Sequence, residues 1–179
     1  MHTMFPIVPQ PNTLNINIWL LNTNIFMKVC CLEDNKNMVV ILERDIKRGQ
    51  CAWKAWCESA NKAFNNGEES IQITSDILNI SPIDEALAVR YSLYLLENRV
   101  PGCAVEVRVA PFGAVKILEG PASDPHNLTP PDVIELDPQV WLRISCGITS
   151  WQQEKQAGHI SAIGERDDLS DILPLDINL

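Results

Sequence analysis

Apolar residues recur every three or four positions in two stretches of the chain, and this spacing predicts two amphipathic helices. The first helix is predicted from Gln50 to Phe64. Its expected buried stripe consists of Trp53, Trp56, Cys57, Ala60 and Phe64. The second helix is predicted to begin at Ser81, whose hydroxyl can cap a helix, with Pro82 in the first turn. It ends near Asn98, and its expected buried face consists of Ile83, Leu87, Tyr91, Tyr94 and Leu95.

Alternation of apolar and polar residues predicts a β-hairpin in the second half of the chain. Val105, Val107 and Val109 alternate with charged residues, so one face of this strand is expected to be buried. After a Pro-Phe-Gly turn, Val115 and Ile117 share one side of the returning strand. The two strands are therefore expected to bury the same face.

Shorter patterns predict the remaining elements. Further strands are expected at 70–74, 133–136 and 159–164. Short helices are expected after Asp137-Pro138 and from a capping box at Thr149-Ser150-Trp151-Gln152, and a last helical turn is expected at 168–175. Helices followed by a hairpin and mixed elements are typical of an α+β domain.

Residues 1–37 differ from the rest because they are rich in asparagine and poor in charge. The apolar run from Ile16 to Met27 contains three asparagines, which argues against a membrane-spanning helix of about 20 apolar residues. We expect residues 1–37 to be a poorly ordered extension or a mis-assigned start, because Met38 begins a stretch of ordinary charge. Residues 38–179 are expected to form one domain.

The charge and the cysteines narrow the range of functions. With 14 Lys+Arg against 23 Asp+Glu, the net charge is −9, and an acidic surface disfavours nucleic-acid binding. The 6 cysteines show neither C-x-x-C nor zinc-finger spacing. We therefore expect reduced, buried or half-buried thiols, no disulfide framework and a cytoplasmic location.

Candidate catalytic residues are few. The histidines are His2, His126 and His159, and none lies in a metal-binding or hydrolase motif. Glu165, Asp167 and Asp168, beside Arg166, are expected to cap the last helix and face solvent. Cys103 has no basic neighbour in sequence that would activate its thiol. The sequence predicts a protein that is not an enzyme and has no metal site.

Three stretches of the second half carry a family resemblance. They are Val105–Val109 with Pro111-Phe112-Gly113, then Thr129–Glu135 with Asp137-Pro138, and Ile160–Ser170 with Leu173-Pro174-Leu175. Together they make residues of about 82–175 resemble the bacterial sterol-carrier-protein orthologue family, a branch of the SCP2-like superfamily. Residues 41–64 are more loosely similar to the leading helix of that family.

The resemblance implies a fold and a ligand class. The implied fold is a curved, mostly antiparallel sheet of about five strands, with helices over one face enclosing an apolar tunnel. The implied ligand is a sterol or a fatty-acyl lipid, without stable insertion into a membrane. One departure is the loop from Gly120 to Asp132, which contains Asp124 and a single His126 and is less basic than the loop common in the family.

A lipid tunnel needs an apolar lining rather than a reactive group. The predicted lining consists of Val107, Val109, Val115, Ile117, Trp141 and Ile163. The alternative is that these side chains fill the core, which would leave an SCP2-like scaffold or protein-interaction domain. Such a domain would use exposed aromatic residues such as Trp53 or Trp151. A tunnel supports the first hypothesis and a packed interior supports the second.

Overall fold

Helices and strands alternate along the chain in a computed structural model, which describes residues 40–120 and 132–176. The elements are α1 (Ile46–Asn65), α2 (Pro82–Arg99), β1 (Pro101–Val109), β2 (Gly113–Ile117), β3 (Asp132–Leu136), α3 (Pro138–Ser145), α4 (Trp151–Gln156) and β4 (Ile160–Ile163). Single 3-10 turns lie at Glu43–Asp45 and Ser70–Gln72. The predicted α+β class, both long helices and the hairpin are confirmed.

The strands of the described residues form a four-stranded mixed sheet in the order β2-β1-β3-β4. Val107 of β1 lies opposite Val115 of the antiparallel β2 and opposite Ile134 of the parallel β3. Ile134 in turn lies opposite Ala162 of the antiparallel β4. The expected sheet of about five mostly antiparallel strands is therefore matched only in outline, because four strands are described and the central pair is parallel.

Helix α2 covers one face of this sheet, and we call that face the inner face. It is defined by Val105, Val107, Val109, Val115, Ile117 and Ile134, all of which are buried. Leu93 and Leu96 of α2 are buried with them in one core. Because α1 packs on another side of α2, this helix buries more of its surface than the single predicted stripe. Ile83, at its start, is 67% exposed instead of buried.

Helices α1 and α2 approach each other closely at Gly49. A Cβ atom at this position would lie 2.9 Å from the Cβ of Tyr91 and 3.3 Å from the backbone oxygen of Leu87. Glycine is therefore required here by space, despite its low helix propensity. One turn later, Trp53 packs on the ring of Tyr91 at a centroid distance of 6.0 Å. The predicted stripe of α1 is confirmed except at Phe64, which is exposed.

Two local predictions are wrong in detail. The expected strand at 70–74 is a 3-10 turn, because tertiary contacts fix it: the backbone N–H of Ser75 donates to Gln139 of α3 at 2.8 Å. The capping box of α4 is formed by Ser150 with Gln153, one position later than predicted. The last turn expected at 168–175 is present: the backbone N–H groups of Ile172 and Leu173 both donate to the backbone oxygen of the buried Leu169 at 3.0 Å.

The expectation of reduced thiols is wrong for at least three cysteines. Cys57 of α1 forms a disulfide with Cys146 at the end of α3, across 89 residues of chain and a Cα–Cα distance of 5.6 Å. Cys103 is also disulfide-bonded. Cys51 is an exposed free thiol. Spacing along the sequence gave no sign of these pairings because the fold brings distant segments together.

Two predictions concern the N-terminal part and the membrane. The expectation for residues 1–37 lies outside the described residues. Among the residues that are described, no helix is long and apolar enough to cross a membrane.

Candidate functional site

Five of the six predicted lining residues lie together in the buried interior. Val107 and Val109 project from β1, and Val115 and Ile117 from β2, onto the inner face. Trp141 comes from α3 and is buried in the same core. The alternation of the strands explains this convergence, because every second residue of a strand points to the same side.

Ile163 is the exception among the predicted residues. It lies opposite Val133 in the β3–β4 ladder, and it is 68% exposed. Its neighbour Ala162 lies opposite the buried Ile134. The structure therefore places Ile163 on the outer face of the sheet and does not bring it together with the other five residues.

The buried face is apolar, and the polar atoms nearest to it are paired. The indole Nε1 of Trp141 donates to the hydroxyl of Ser92 at 2.7 Å. That hydroxyl in turn donates to the backbone oxygen of Val89 at 3.0 Å. These bonds fix α3 against α2 without placing a charge in the interior. Such a surface can bind hydrocarbon by burial and offers no group for acid–base chemistry.

The outer face of the sheet has the opposite character. Arg108 donates to Glu106 at 2.7 Å and to Glu135 at 2.9 Å. The hydrogen bond with Glu106, followed by that with Glu135, raises the pKa of Arg108. The outer face is therefore charged where the inner face is apolar.

An anchor of buried polar groups joins β3 to the chain after β4, and sequence reasoning missed it. Asp132 is buried and accepts hydrogen bonds from the backbone N–H groups of Glu165 and Arg166, at 3.1 and 3.2 Å. The guanidinium Nη1 of Arg166 also donates to it at 3.2 Å. Gly164 has a φ of 121° and lies so close that a Cβ would overlap the carboxylate of Asp132. The Gly-Glu-Arg motif was visible in sequence, but its partner 32 positions earlier was not.

The acidic residues around this anchor are largely engaged in local contacts. Asp167 pairs with Lys155 at 2.9 Å. Asp168 accepts from the backbone N–H of Ser170 at 2.8 Å. Hydrogen bonds from Ser170 lower the pKa of Asp168. Within the described ranges, no group of three or more His, Cys, Asp or Glu side chains could hold a metal ion.

A second group of polar side chains, which we call the polar core, consists of the buried Arg143, Thr149 and Glu154 together with His159, which is exposed. Glu154 is fully buried and accepts from Arg143 at 2.7 and 3.1 Å. Thr149 donates to it at 2.8 Å, and His159 Nδ1 lies 2.6 Å from its second oxygen. Arg143 also donates to the backbone oxygen of Ile73 at 3.2 Å.

The electrostatics of the polar core follow from these contacts. Burial raises the pKa of Glu154, but hydrogen bonds from Arg143, His159 and Thr149 outweigh it, and the net shift is downward. The carboxylate is therefore held in its charged form as part of the structure. The sequence did not reveal this role, because a glutamate in a short helix is usually exposed.

A family model described as "Bacterial SCP ortholog" matches residues 83–175. The chain belongs to this family. The matched region of the bacterial SCP ortholog family begins in α2 and includes the whole sheet and all six predicted lining residues, whereas α1 precedes it. Among curated proteins, a search finds no match to the chain.

Proposed function

We propose that this chain carries an apolar small molecule, an acyl lipid or a sterol-like ligand, and does so without catalysis. The ligand would lie in a tunnel between the inner face of the sheet and its helices. The observation that carries the proposal is the convergence of five uncharged, buried side chains on one side of the sheet, in a member of the bacterial SCP ortholog family. They are Val107, Val109, Val115, Ile117 and Trp141.

The energetics support a carrier that needs no reactive group. Removing apolar surface from water is worth roughly 25 cal/mol per Å², so a long acyl chain can be held by burial alone. Val107, Val109 and Ile117 are each 0% exposed, which means that no water-sized space touches them in this structure. Binding would therefore require the helices to move away from the inner face.

The same closure favours one alternative, a scaffold or protein-interaction domain with a filled core. The form of this alternative that uses Trp53 or Trp151 at the surface is wrong, because these residues are 1% and 2% exposed. The disulfide also bears on the compartment, because disulfides form and persist in oxidising surroundings. The bond between Cys57 and Cys146 favours such a compartment over the expected cytoplasm.

Native mass spectrometry of the full chain, followed by solvent extraction, tests the carrier against the filled core. We expect a stoichiometric adduct that extracts as a lipid. Val109→Phe and Val115→Phe should reduce the adduct by about tenfold or more, because they add volume to the inner face. Ile163→Phe, on the outer face, is the matched control and should bind as the wild type does.

The binding results can be interpreted if circular dichroism shows that the variants are folded. A bare mass after incubation with fatty acids and sterols would favour the filled-core domain. Equal binding by the inner-face and outer-face variants would contradict the assignment of the lining residues. It would not contradict the proposed carrier function.

A further inference from the structure

The segment that follows the anchor crosses the C-terminal ends of two helices. We call this segment, residues 167–175, the C-terminal strap. It contains one turn, which begins at Leu169, and neither a helix nor a strand. Two of its side chains are buried in the hydrophobic core, Leu169 at 0% and Leu175 at 4% exposure. The strap is therefore an irregular segment that covers part of the core.

The last residues of the strap connect the ends of α2 and α3. The backbone N–H of Leu175 donates to the backbone oxygen of Ser145, the last residue of α3, at 2.9 Å. The last residue of α2, Arg99, donates from Nη1 to the backbone oxygen of Pro174 at 3.0 Å. Because the last carbonyl oxygens of a helix have no partner inside the helix, Leu175 supplies a donor that α3 lacks.

The end of α2 that the strap holds lies over the inner face. Leu96 is one turn before Arg99, and it is buried in the same core as the inner face of the sheet. Leu169 and Leu175 of the strap belong to this core as well. The strap, the end of α2 and the inner face are therefore parts of one packed region.

The polar contacts of the strap are few and lie near the surface. Its ion pair between Asp167 and Lys155 joins side chains that are 35% and 43% exposed, and such pairs add little stability. By contrast, α1 is held by a disulfide, and the middle of α2 by the buried hydrogen bond between Trp141 and Ser92. Of these three covers of the core, the strap is held by the weakest polar contacts.

We propose that the C-terminal strap is a latch that opens by itself and lets the ends of α2 and α3 separate. This inference rests on the proposed carrier function, because separation of the helix ends would admit a ligand to the inner face. The strap would pivot at Arg166, whose backbone N–H is fixed to Asp132 of the anchor at 3.2 Å. It controls entry of the ligand and does not itself bind the ligand.

Opening of the strap breaks only local contacts. Proteins open locally in units that cost less free energy than global unfolding. Release of the strap exposes Leu169 and Leu175 and breaks two hydrogen bonds, whereas the sheet and the disulfide stay intact. A ligand that binds only the open form has an apparent affinity reduced by the fraction of molecules that are open. A weaker strap should therefore raise both the rate of uptake and the apparent affinity.

Hydrogen exchange of the full chain tests whether the strap opens by itself. The amide of Leu175 should exchange at least about a hundredfold faster than the amides of β1, which lies between two strands. Its exchange should also depend less on urea, because local opening exposes less surface than global unfolding. Equal rates with equal urea dependence would overturn the latch, since the strap would then open only when the whole domain unfolds.

Uptake of the apolar dye Nile red, followed by stopped-flow fluorescence, tests the control of entry. Leu175→Ala should raise the uptake rate and the apparent affinity about tenfold or more, because it removes contacts of the closed form alone. Arg99→Met keeps the aliphatic part of the side chain and removes the hydrogen bond to Pro174. It should raise both quantities about two- to fivefold, and it serves if Leu175→Ala does not fold.

Leu87→Ala is the matched control. Leu87 is 7% exposed and lies beside the close contact with α1 at Gly49, near the other end of α2. Its replacement should lower the urea midpoint, but uptake should stay within about twofold of the wild type. Equal uptake by Leu87→Ala and Leu175→Ala, or unchanged uptake by both strap variants, would overturn the latch and not the carrier. A wild type that binds no Nile red would contradict the carrier function, and the role of the strap in entry with it.

Discussion

The polar core differs from the packed rings of Trp53, Tyr91 and Tyr94, which we call the aromatic cluster, in how it buries polar atoms. In the polar core, Glu154 accepts hydrogen bonds from Arg143 and Thr149 and lies within hydrogen-bond distance of His159. In the aromatic cluster, the N–H of Trp53 has no partner among the described residues. The difference teaches that buried polar groups are fully paired in one region of the fold, whereas in the other a buried N–H group has no acceptor among the described residues.

The largest expected effect comes from breaking the polar core. Glu154→Gln leaves the buried guanidinium of Arg143 without its counter-charge, and we expect a loss of about 3–5 kcal/mol in the free energy of unfolding. Urea denaturation measures it. Glu58→Gln, at an exposed position of α1, is the control and should change little. A loss below about 1 kcal/mol would contradict the structural role given to this pair.

Removal of the disulfide is expected to have the next largest effect on the free energy of unfolding. This bond connects helices of the two regions. Cys57 lies one turn after Trp53 on α1, and Cys146 follows α3, which carries Arg143. Replacing both cysteines by alanine should cost about 2–4 kcal/mol in urea denaturation without reductant, because the unfolded chain gains freedom. Cys51→Ala, at the exposed free thiol, is the control. Equal stability of the two variants would argue against the bond.

A smaller difference in stability is expected between variants of a tryptophan whose N–H is hydrogen-bonded and of one whose N–H is not. Trp141→Phe and Trp53→Phe remove the same volume, but only Trp141 loses a hydrogen bond, the one to Ser92. We therefore expect Trp141→Phe to be the more destabilising by about 1 kcal/mol in thermal or urea unfolding. The opposite order would show that Trp53 is paired in solution and would weaken the comparison.

The smallest effect is a pH dependence from Glu154. Its pKa in the folded state is lower than the ordinary value of 4.5, so below that pH the unfolded chain binds the proton more readily. The stability from this carboxylate is fully present above about pH 4.5 and is lost as the pH falls through its folded pKa. Urea denaturation at pH 7 and pH 3.5 should show a smaller loss in Glu154→Gln than in the wild type. Equal losses would contradict the shift.

Local patterns predicted those elements whose hydrophobic period decides the structure. The stripe of α1, the cap of α2 at Ser81 and the paired valines of β1 and β2 follow from side-chain spacing and capping chemistry alone. The strand expected at 70–74 failed because Ser75 is fixed by Gln139, 64 positions later, and local propensity yields to such contacts.

The candidate site was predicted in part for the same reason. Alternation placed Val107 and Val115 on the inner face, whereas Ile163, which was expected near a gap between a helix and the sheet, lies on the outer face. The unpaired N–H of Trp53, the burial of Glu154 and the pairing of Cys57 depend on which segments meet in space. Residue spacing along the chain does not show which distant segments come into contact.

The anchor between Asp132 and Gly164 has a consequence for how this protein can diverge. Any side chain at position 164 would collide with the carboxylate of Asp132, and any loss of that carboxylate would leave two backbone N–H groups without an acceptor. The two positions therefore constrain each other, because a change at either one alone disrupts the same set of contacts.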